Sequence, residues 1–158
     1  INKIEIAAIN FHPGTPNYRG IGCTNFALYN QEKIYGSTCH IIDEKIDSGK
    51  ILNVKLFKIS KNENLETLLE KTHKIMLSQS IFIISKIFEN KDNLSKFLND
   101  GKQFKWSKKL YLRKDLNNLY KINRNINKKK LELLINSCNS KNFKPYVDLH
   151  GKKFFYLD

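Results

Sequence analysis

From Asn64 to Asn90 the apolar residues Leu65, Leu68, Leu69, Ile75, Met76, Ile83, Ile84 and Ile87 recur at steps of three and four. That spacing puts them on one face of an α-helix, and a helix this long and one-sided needs a layer to lie on. The residues before it supply candidates. "IEIAAI" (4–9), mostly apolar and β-branched, suits a strand buried on both faces, as in a parallel sheet. "GSTCHII" (36–42) and "KILNVKLFKI" (50–59) are two more strand candidates. Between the first two, "GCTNFALYN" reads as a short helix, with Gly22 or Thr24 as cap and Phe26, Ala27 and Tyr29 packing inward. The expected class is α/β.

Beyond the long helix, residues 91–125 are polar and Lys/Asn-rich, hold the single Trp106, and read as surface chain with a short strand or two. Asn127 can cap a helix running to about Cys138, with Leu131, Leu134, Ile135 and Cys138 on one face. "PYVDLHGKKFFYL" places two alternating runs around His150-Gly151, a hairpin signal. With 158 residues, 41% of them hydrophobic, one core is expected. No run approaches the roughly 18 unbroken apolar residues of a membrane span. There is no secretory-signal pattern either, so the expected setting is the cytoplasm. Cys23, Cys39 and Cys138, an odd number without CxxC spacing, read as buried free thiols rather than a disulfide or zinc framework. Net charge is +13, but only Arg19, Arg113 and Arg124 carry the guanidinium fork that reads phosphates and bases. A solvated basic surface explains that charge better than a nucleic-acid partner does.

The chemistry concentrates in "INFHPGTPNYRG" (9–20), where Pro13, Gly14, Pro16 and Gly20 forbid regular structure and mark an ordered loop after a strand. Of the four histidines, His73 reads as a packing residue of the long helix, His150 as a turn residue and His40 as a core histidine. His12 stands where a rigid scaffold presents a reactive side chain. Asn10 and His12 are two apart, so an extended backbone points both to one side. Asp47, 35 residues after His12 in the turn "DEKIDSG", can reach the same pocket. A carboxylate beside an imidazole fixes its tautomer and raises its basicity. Such a trio can take a proton from an attacking amine and stabilise an oxyanion. By spacing alone, structural turns account for Asn, His and Asp better than a catalytic trio does.

"INFHPGTPNYRG", "TNFALYN" and "YGSTCHIIDEKIDSGKIL" together resemble the catalytic half of the folate-dependent formyltransferases. These include methionyl-tRNA formyltransferase, glycinamide ribonucleotide transformylase and the sugar N-formyltransferases. The resemblance spans residues 4–57 and rests on Asn-x-His-Pro, Tyr-Arg-Gly and Asp-x-x-x-Asp-Ser-Gly. It implies the C-terminal half of a Rossmann-like sheet with the long helix (1–90), followed by an extension with a helix and hairpin (91–158). By the same resemblance a preceding half builds much of the folate pocket, and it is expected either upstream of these residues or from another chain. By resemblance Asn10 holds the formyl oxygen, His12 acts as base or charge stabiliser, and Asp47 orients His12. The backbone at Asp43, Glu44, Lys45 and Ile46 meets the pterin of 10-formyltetrahydrofolate, and Tyr18, Arg19 and Gly20 face the substrate. No metal is implied. "HPGTP" is shorter than the family's usual His-Pro-Ser-Leu-Leu-Pro, so Thr15 receives no role.

The tail "KKKLELLINSCNSKNFKPYVDLHGKKFFYL" looks more like the short extension of sugar N-formyltransferases than the barrel of the tRNA-acting enzymes. The expected acceptor is therefore the amino group of a nucleotide-linked sugar, with homodimers common in that family. Transfer to methionyl-tRNA or glycinamide ribonucleotide is the alternative within the family. A non-catalytic basic binding module is the alternative outside it.

Overall fold

A computed structural model describes residues 7–90 and 104–157. In chain order the elements are β1 (Ile9–His12), β2 (Arg19–Gly20), α1 (Cys23–Tyr29), β3 (Ile34–Ile41), β4 (Ile51–Lys58) and α2 (Leu65–Glu89). Then follow β5 (Leu110–Tyr111), α3 (Arg113–Tyr120), α4 (Lys128–Cys138), β6 (Tyr146–Leu149) and β7 (Lys152–Phe155). The mixed α/β class expected from the sequence is the one observed. The first strand differs. It runs from Ile9 to His12, past the expected end at Ile9, and residues 4–6 of the expected strand lie outside the described residues. β1 is extended here because β3 lies against it, pairing Asn10 with His40 and His12 with Thr38. That pairing and the β3–β4 pairing are both antiparallel, in the order β1-β3-β4, where the apolar run suggested a parallel sheet. The one parallel strand pair among the described residues is the two-residue match of β2 with β5.

α2 starts where Asn64 caps it. The Asn64 side chain accepts from the Thr67 N–H and the Thr67 hydroxyl accepts from the Asn64 N–H, both at 3.0 Å, a reciprocal cap contributing about 1 kcal/mol. Leu65, Leu68 and Ile83 bury as the periodicity predicts, but Ile84 is 49% exposed and the fully buried positions include the polar Thr72 and Gln79. Gln79 fastens the helix to the sheet: its amide oxygen accepts from Ser37 at 2.7 Å and its nitrogen donates to Asn53 Oδ1 at 2.8 Å. The core lies between α1, β3 and the start of α2, built on Phe26, Ala27, Tyr35, Leu65, Leu68 and Tyr111.

α3 occupies a stretch read as surface chain. Asp115 Oδ2 accepts from the Leu112 N–H at 2.8 Å, and Leu116, Leu119 and Tyr120 turn one face to the core. α4 follows the expected course, with Asn127 accepting from the Lys130 N–H at 2.9 Å. It docks on α1, where Asn25 Nδ2 donates to the Ser137 carbonyl at 2.7 Å. The β6–β7 hairpin turns at His150 and Gly151, both with positive φ (52° and 79°), the backbone of a primed two-residue turn. Among the described residues no helix is long and apolar enough to cross a membrane.

Candidate functional site

Two backbone segments meet to form the site. β1 delivers Asn10 and His12 from alternate positions, and the turn between β3 and β4 delivers Asp47. That turn is tight for a steric reason: a Cβ on Gly49 would sit 1.9 Å from the Ile41 carbonyl oxygen. Asp47 itself holds a left-handed φ of 42°, a conformation Asp and Asn tolerate better than other side chains. Its Oδ2 lies 3.3 Å from His12 Nδ1 and accepts from the Gly20 N–H at 2.8 Å. Its Oδ1 lies 3.5 Å from His40 Nε2. Asn10 Nδ2 is 3.1 Å from that same nitrogen. One carboxylate therefore gathers two imidazoles, and an amide completes the group.

The ring tautomers follow from their carbonyl partners, since a carbonyl can only accept. His12 donates from Nε2 to the Tyr18 carbonyl at 2.7 Å, leaving Nδ1 towards Asp47. His40 donates from Nδ1 to the Ile41 carbonyl at 2.8 Å, leaving Nε2 to accept from Asn10. Burial pulls the His12 pKa below its ordinary value, against the opposing pull of Asp47 and the Tyr18 carbonyl. Burial pushes the Asp47 carboxyl up, but His40 and His12 beside its two oxygens and the Gly20 N–H together outweigh it and leave it below its ordinary value. The resting cluster is thus a carboxylate beside a neutral imidazole whose Nδ1 can take a proton, with the carboxylate oxygen already in place to stabilise the charge that forms. Cys23 lies 3.5 Å from His12 Nε2, but burial first and Asp47 second push its thiol up to about 12. It is a packing group, not a nucleophile.

Asn10, His12 and Asp47 come together as expected. Asp43, Glu44, Lys45 and Ile46 form the exposed rim of the Asp47 turn, with Ile46 58% exposed. Tyr18 and Arg19, expected to face substrate, frame the site with their side chains, while Gly20 lines a cleft. The Tyr18 ring is 3% exposed, its hydroxyl donates to Glu32 at 2.7 Å, and its carbonyl holds His12. The Arg19 guanidinium donates to the carbonyls of Asp47, Ile46 and Ser107 at 2.7, 2.8 and 3.1 Å. Gly20 needs its positive φ of 91°, and a Cβ there would meet the Tyr111 carbonyl at 2.2 Å.

Two members of the site escaped the sequence reading. His40 has the 3% exposure of the core histidine its strand predicts, yet it also faces Asp47. The signal was parity: Thr38 and His40 share a face of β3, and Thr38 donates to the Gly14 carbonyl of the loop at 2.7 Å. The other is Trp106, whose ring stands 5.6 Å from His12 and 5.0 Å from His40. A cleft of about 660 Å³ begins at Pro13 and Gly20–Cys23 and runs past Leu65, Arg113 and Tyr120 to Phe143, Tyr146 and Lys153.

Residues 1–84 match the family described as Formyl transferase. Over 64 residues the chain is 48% identical to a methionyl-tRNA formyltransferase of Thermodesulfovibrio yellowstonii, a stretch covering 40% of this chain and 21% of that protein. The fold is that of a 4-N formyltransferase from Francisella tularensis, with a TM-score of 0.72 at 24% identity over 95% of this chain and 61% of that one. A sugar N-formyltransferase from Shewanella is similar at 25% identity, with a TM-score of 0.70 over 95% of this chain and 60% of that one. The chain thus matches about a fifth of the first of these proteins and spans about three fifths of the other two.

Proposed function

The chain belongs to the formyl transferase family, and from that premise we propose that it transfers a formyl group from 10-formyltetrahydrofolate to the amino group of a nucleotide-linked sugar. The observation that carries this reading is the convergence of His12 and His40 on the single carboxylate of Asp47, with the Asn10 amide held on His40. In the reaction the amine nitrogen attacks the formyl carbon, an N–C bond forms, and negative charge collects on the formyl oxygen. Asn10 gives one amide hydrogen to His40 and has a second to donate to that oxygen. His12, neutral because it is buried, takes the proton the amine gives up, and Asp47 stabilises the imidazolium that results. The bond to the folate nitrogen then breaks, and the proton returns to that nitrogen as it leaves. The exposed turn at Asp43, Glu44, Lys45 and Ile46 offers backbone groups and an apolar side chain beside Asp47, which suits the edge and face of a pterin.

The sugar-nucleotide acceptor is supported by the likeness to the Shewanella enzyme and by the chemistry of the cleft. Tyr120, Phe143 and Tyr146 suit a base, while Arg113 and Lys153 suit a diphosphate. The high identity to a methionyl-tRNA formyltransferase extends over 64 residues, about a fifth of that protein, and favours no acceptor. The test incubates the full-length protein with 10-formyltetrahydrofolate and a panel of dTDP-linked amino sugars and follows the product mass. Addition of one formyl group to a sugar nucleotide is expected. Formylation of methionyl-tRNA and of none of the sugars would replace the acceptor, and no transfer to any amine would overturn the reaction.

A further inference from the structure

Trp106 enters the site from outside both catalytic segments, and three sets of contacts fix it there. Its indole N–H donates to the Gly49 carbonyl at 2.7 Å, at the foot of the Asp47 turn. Its ring plane stands at 79° to His12 and 88° to His40, an edge-to-face arrangement with each imidazole. The next residue, Ser107, donates from its N–H to the Pro16 carbonyl at 2.9 Å and accepts from Arg19 at 3.1 Å. Arg19 in turn holds the carbonyls of Ile46 and Asp47. The contacts close on themselves, running from Trp106 to Gly49, along the turn to Asp47, through Arg19 to Ser107 and back.

We propose that Trp106 is a positioning residue for formyl transfer, the wall that holds both imidazoles in register with Asp47 and keeps water from them. The inference rests on the function proposed above. A perpendicular ring with its N–H tied to the turn leaves His12 and His40 little room to rotate, and a displacement of about 1 Å in a reacting group can lower a rate by about 100-fold. The groups facing His12 from other elements are Asp47 on the turn, His40 on β3, Cys23 on α1 and the Tyr18 carbonyl on the loop. Trp106 contributes no charge to this set and acts by filling space. Removing it readmits water, weakens the burial that keeps His12 neutral, and moves the imidazole towards its ordinary value of 6.5.

The test compares Trp106→Phe and Trp106→Ala with wild type in the full-length protein. The Ala variant is expected to lose about 100-fold in kcat with KM for both substrates unchanged, and the acid limb of its rate profile moves to higher pH. The Phe variant, which keeps a ring but loses the bond to Gly49, falls between. Unchanged kcat in the Phe variant and in a folded Ala variant, or a loss seen wholly in one KM, overturns the proposal; if the Ala variant does not fold, the Phe variant decides alone. A second readout needs no turnover. Trp106 is the only tryptophan in the chain, and a protonated imidazole quenches a neighbouring indole. Emission should therefore drop as His12 takes a proton, with a midpoint below 6.5, and His12→Gln should remove that step. Emission that does not change with pH overturns the placement of the ring. Absence of formyl transfer by wild type with a normal emission titration overturns the function and leaves the placement standing.

Discussion

Asp47→Asn removes a charge and leaves the shape. The turn survives because Asn adopts the left-handed φ of 42° at least as readily as Asp, and an amide oxygen can still accept from the Gly20 N–H at 2.8 Å. What disappears is the anion 3.3 Å from His12 and 3.5 Å from His40. An acid/base partner of this kind is worth about 10²–10⁴ in rate, or about 3–5 kcal/mol of transition-state stabilisation. kcat should fall by that amount while KM for the acceptor changes little. The pH dependence gives a second, signed expectation. Asp47 raises the His12 pKa, so its removal lets burial depress it further, and the acid limb of kcat/KM moves to lower pH. Stability gives a third. The folded carboxyl lies below its ordinary value of 3.8, so Asp47 stabilises the fold above that value, and the contribution is lost as pH falls through the folded pKa. Melting temperature should depend less on pH below about 5 in the variant than in wild type. Activity within about tenfold of wild type, or an acid limb displaced upward, would refute the assignment of Asp47 as the stabiliser of a protonated His12.

Gly49→Ala drives a Cβ into the Ile41 carbonyl, 1.9 Å away, so the turn must open. The fold should lose about 1–3 kcal/mol by denaturant titration, and kcat should drop although every proposed catalytic side chain is intact. Arg19→Lys replaces a fork with three carbonyl partners by a single ammonium. Steady-state kinetics should show at least about a tenfold fall in kcat without rescue by added folate. Gln79→Leu strands Ser37 and Asn53 on the buried side of the sheet; about 2–4 kcal/mol of stability should go, with kcat of the folded fraction unchanged. His12 is buried neutral, so the unfolded chain binds its proton first. Stability should fall as pH drops from 6.5 towards the lower folded value, and His12→Gln should flatten that slope in a Tm–pH series.

The long helix, the capped helix at Asn127 and the hairpin at His150-Gly151 were legible because each is specified locally. A 3.6-residue repeat, a side chain able to accept from an amide three residues on, and two residues with positive φ all act within a few positions of themselves. Asn10, His12 and Asp47 were legible because their spacing belongs to a motif. What stayed hidden depends on contacts distant in sequence. Gln79 looks like a break in an apolar stripe until Ser37 and Asn53 are beside it. Tyr18 and Arg19 look like substrate contacts until the core closes round one and three carbonyls converge on the other. Trp106 lies 57 residues from the carbonyl it holds, in a segment without periodicity. α3 is the exception: Leu116, Leu119 and Tyr120 with Asp115 near the start were a helical signal within reach.

The antiparallel return of β3 explains why a second histidine belongs to the site. Opposite Asn10 stands His40, and opposite His12 stands Thr38, so the residues of β3 that face the loop alternate between one that joins the cluster and one that supports it. Slipping β3 by one residue would bring Cys39 to Asn10 and turn His40 to the other face. The register is held against that slip by buried hydroxyls bonded to the loop after His12. Thr38 donates to the Gly14 carbonyl and Tyr35 to the Pro13 carbonyl, each at 2.7 Å and from fully buried side chains. Losing the Thr38 bond leaves a buried hydroxyl unsatisfied at about 1–3 kcal/mol, and losing the Tyr35 bond leaves that hydroxyl only the longer contact to Thr24 at 3.3 Å. The same two bonds clamp Pro13 and Gly14, so the loop after His12 takes its shape from the strand that also carries His40. Loop conformation, strand register and the approach of His40 to Asp47 are therefore one structural decision, made by two hydroxyls that never touch the proposed substrate. Thr38→Val tests this: it keeps the volume and removes the donor, and should lower stability and kcat together, with the loss of kcat persisting at temperatures where the variant is fully folded.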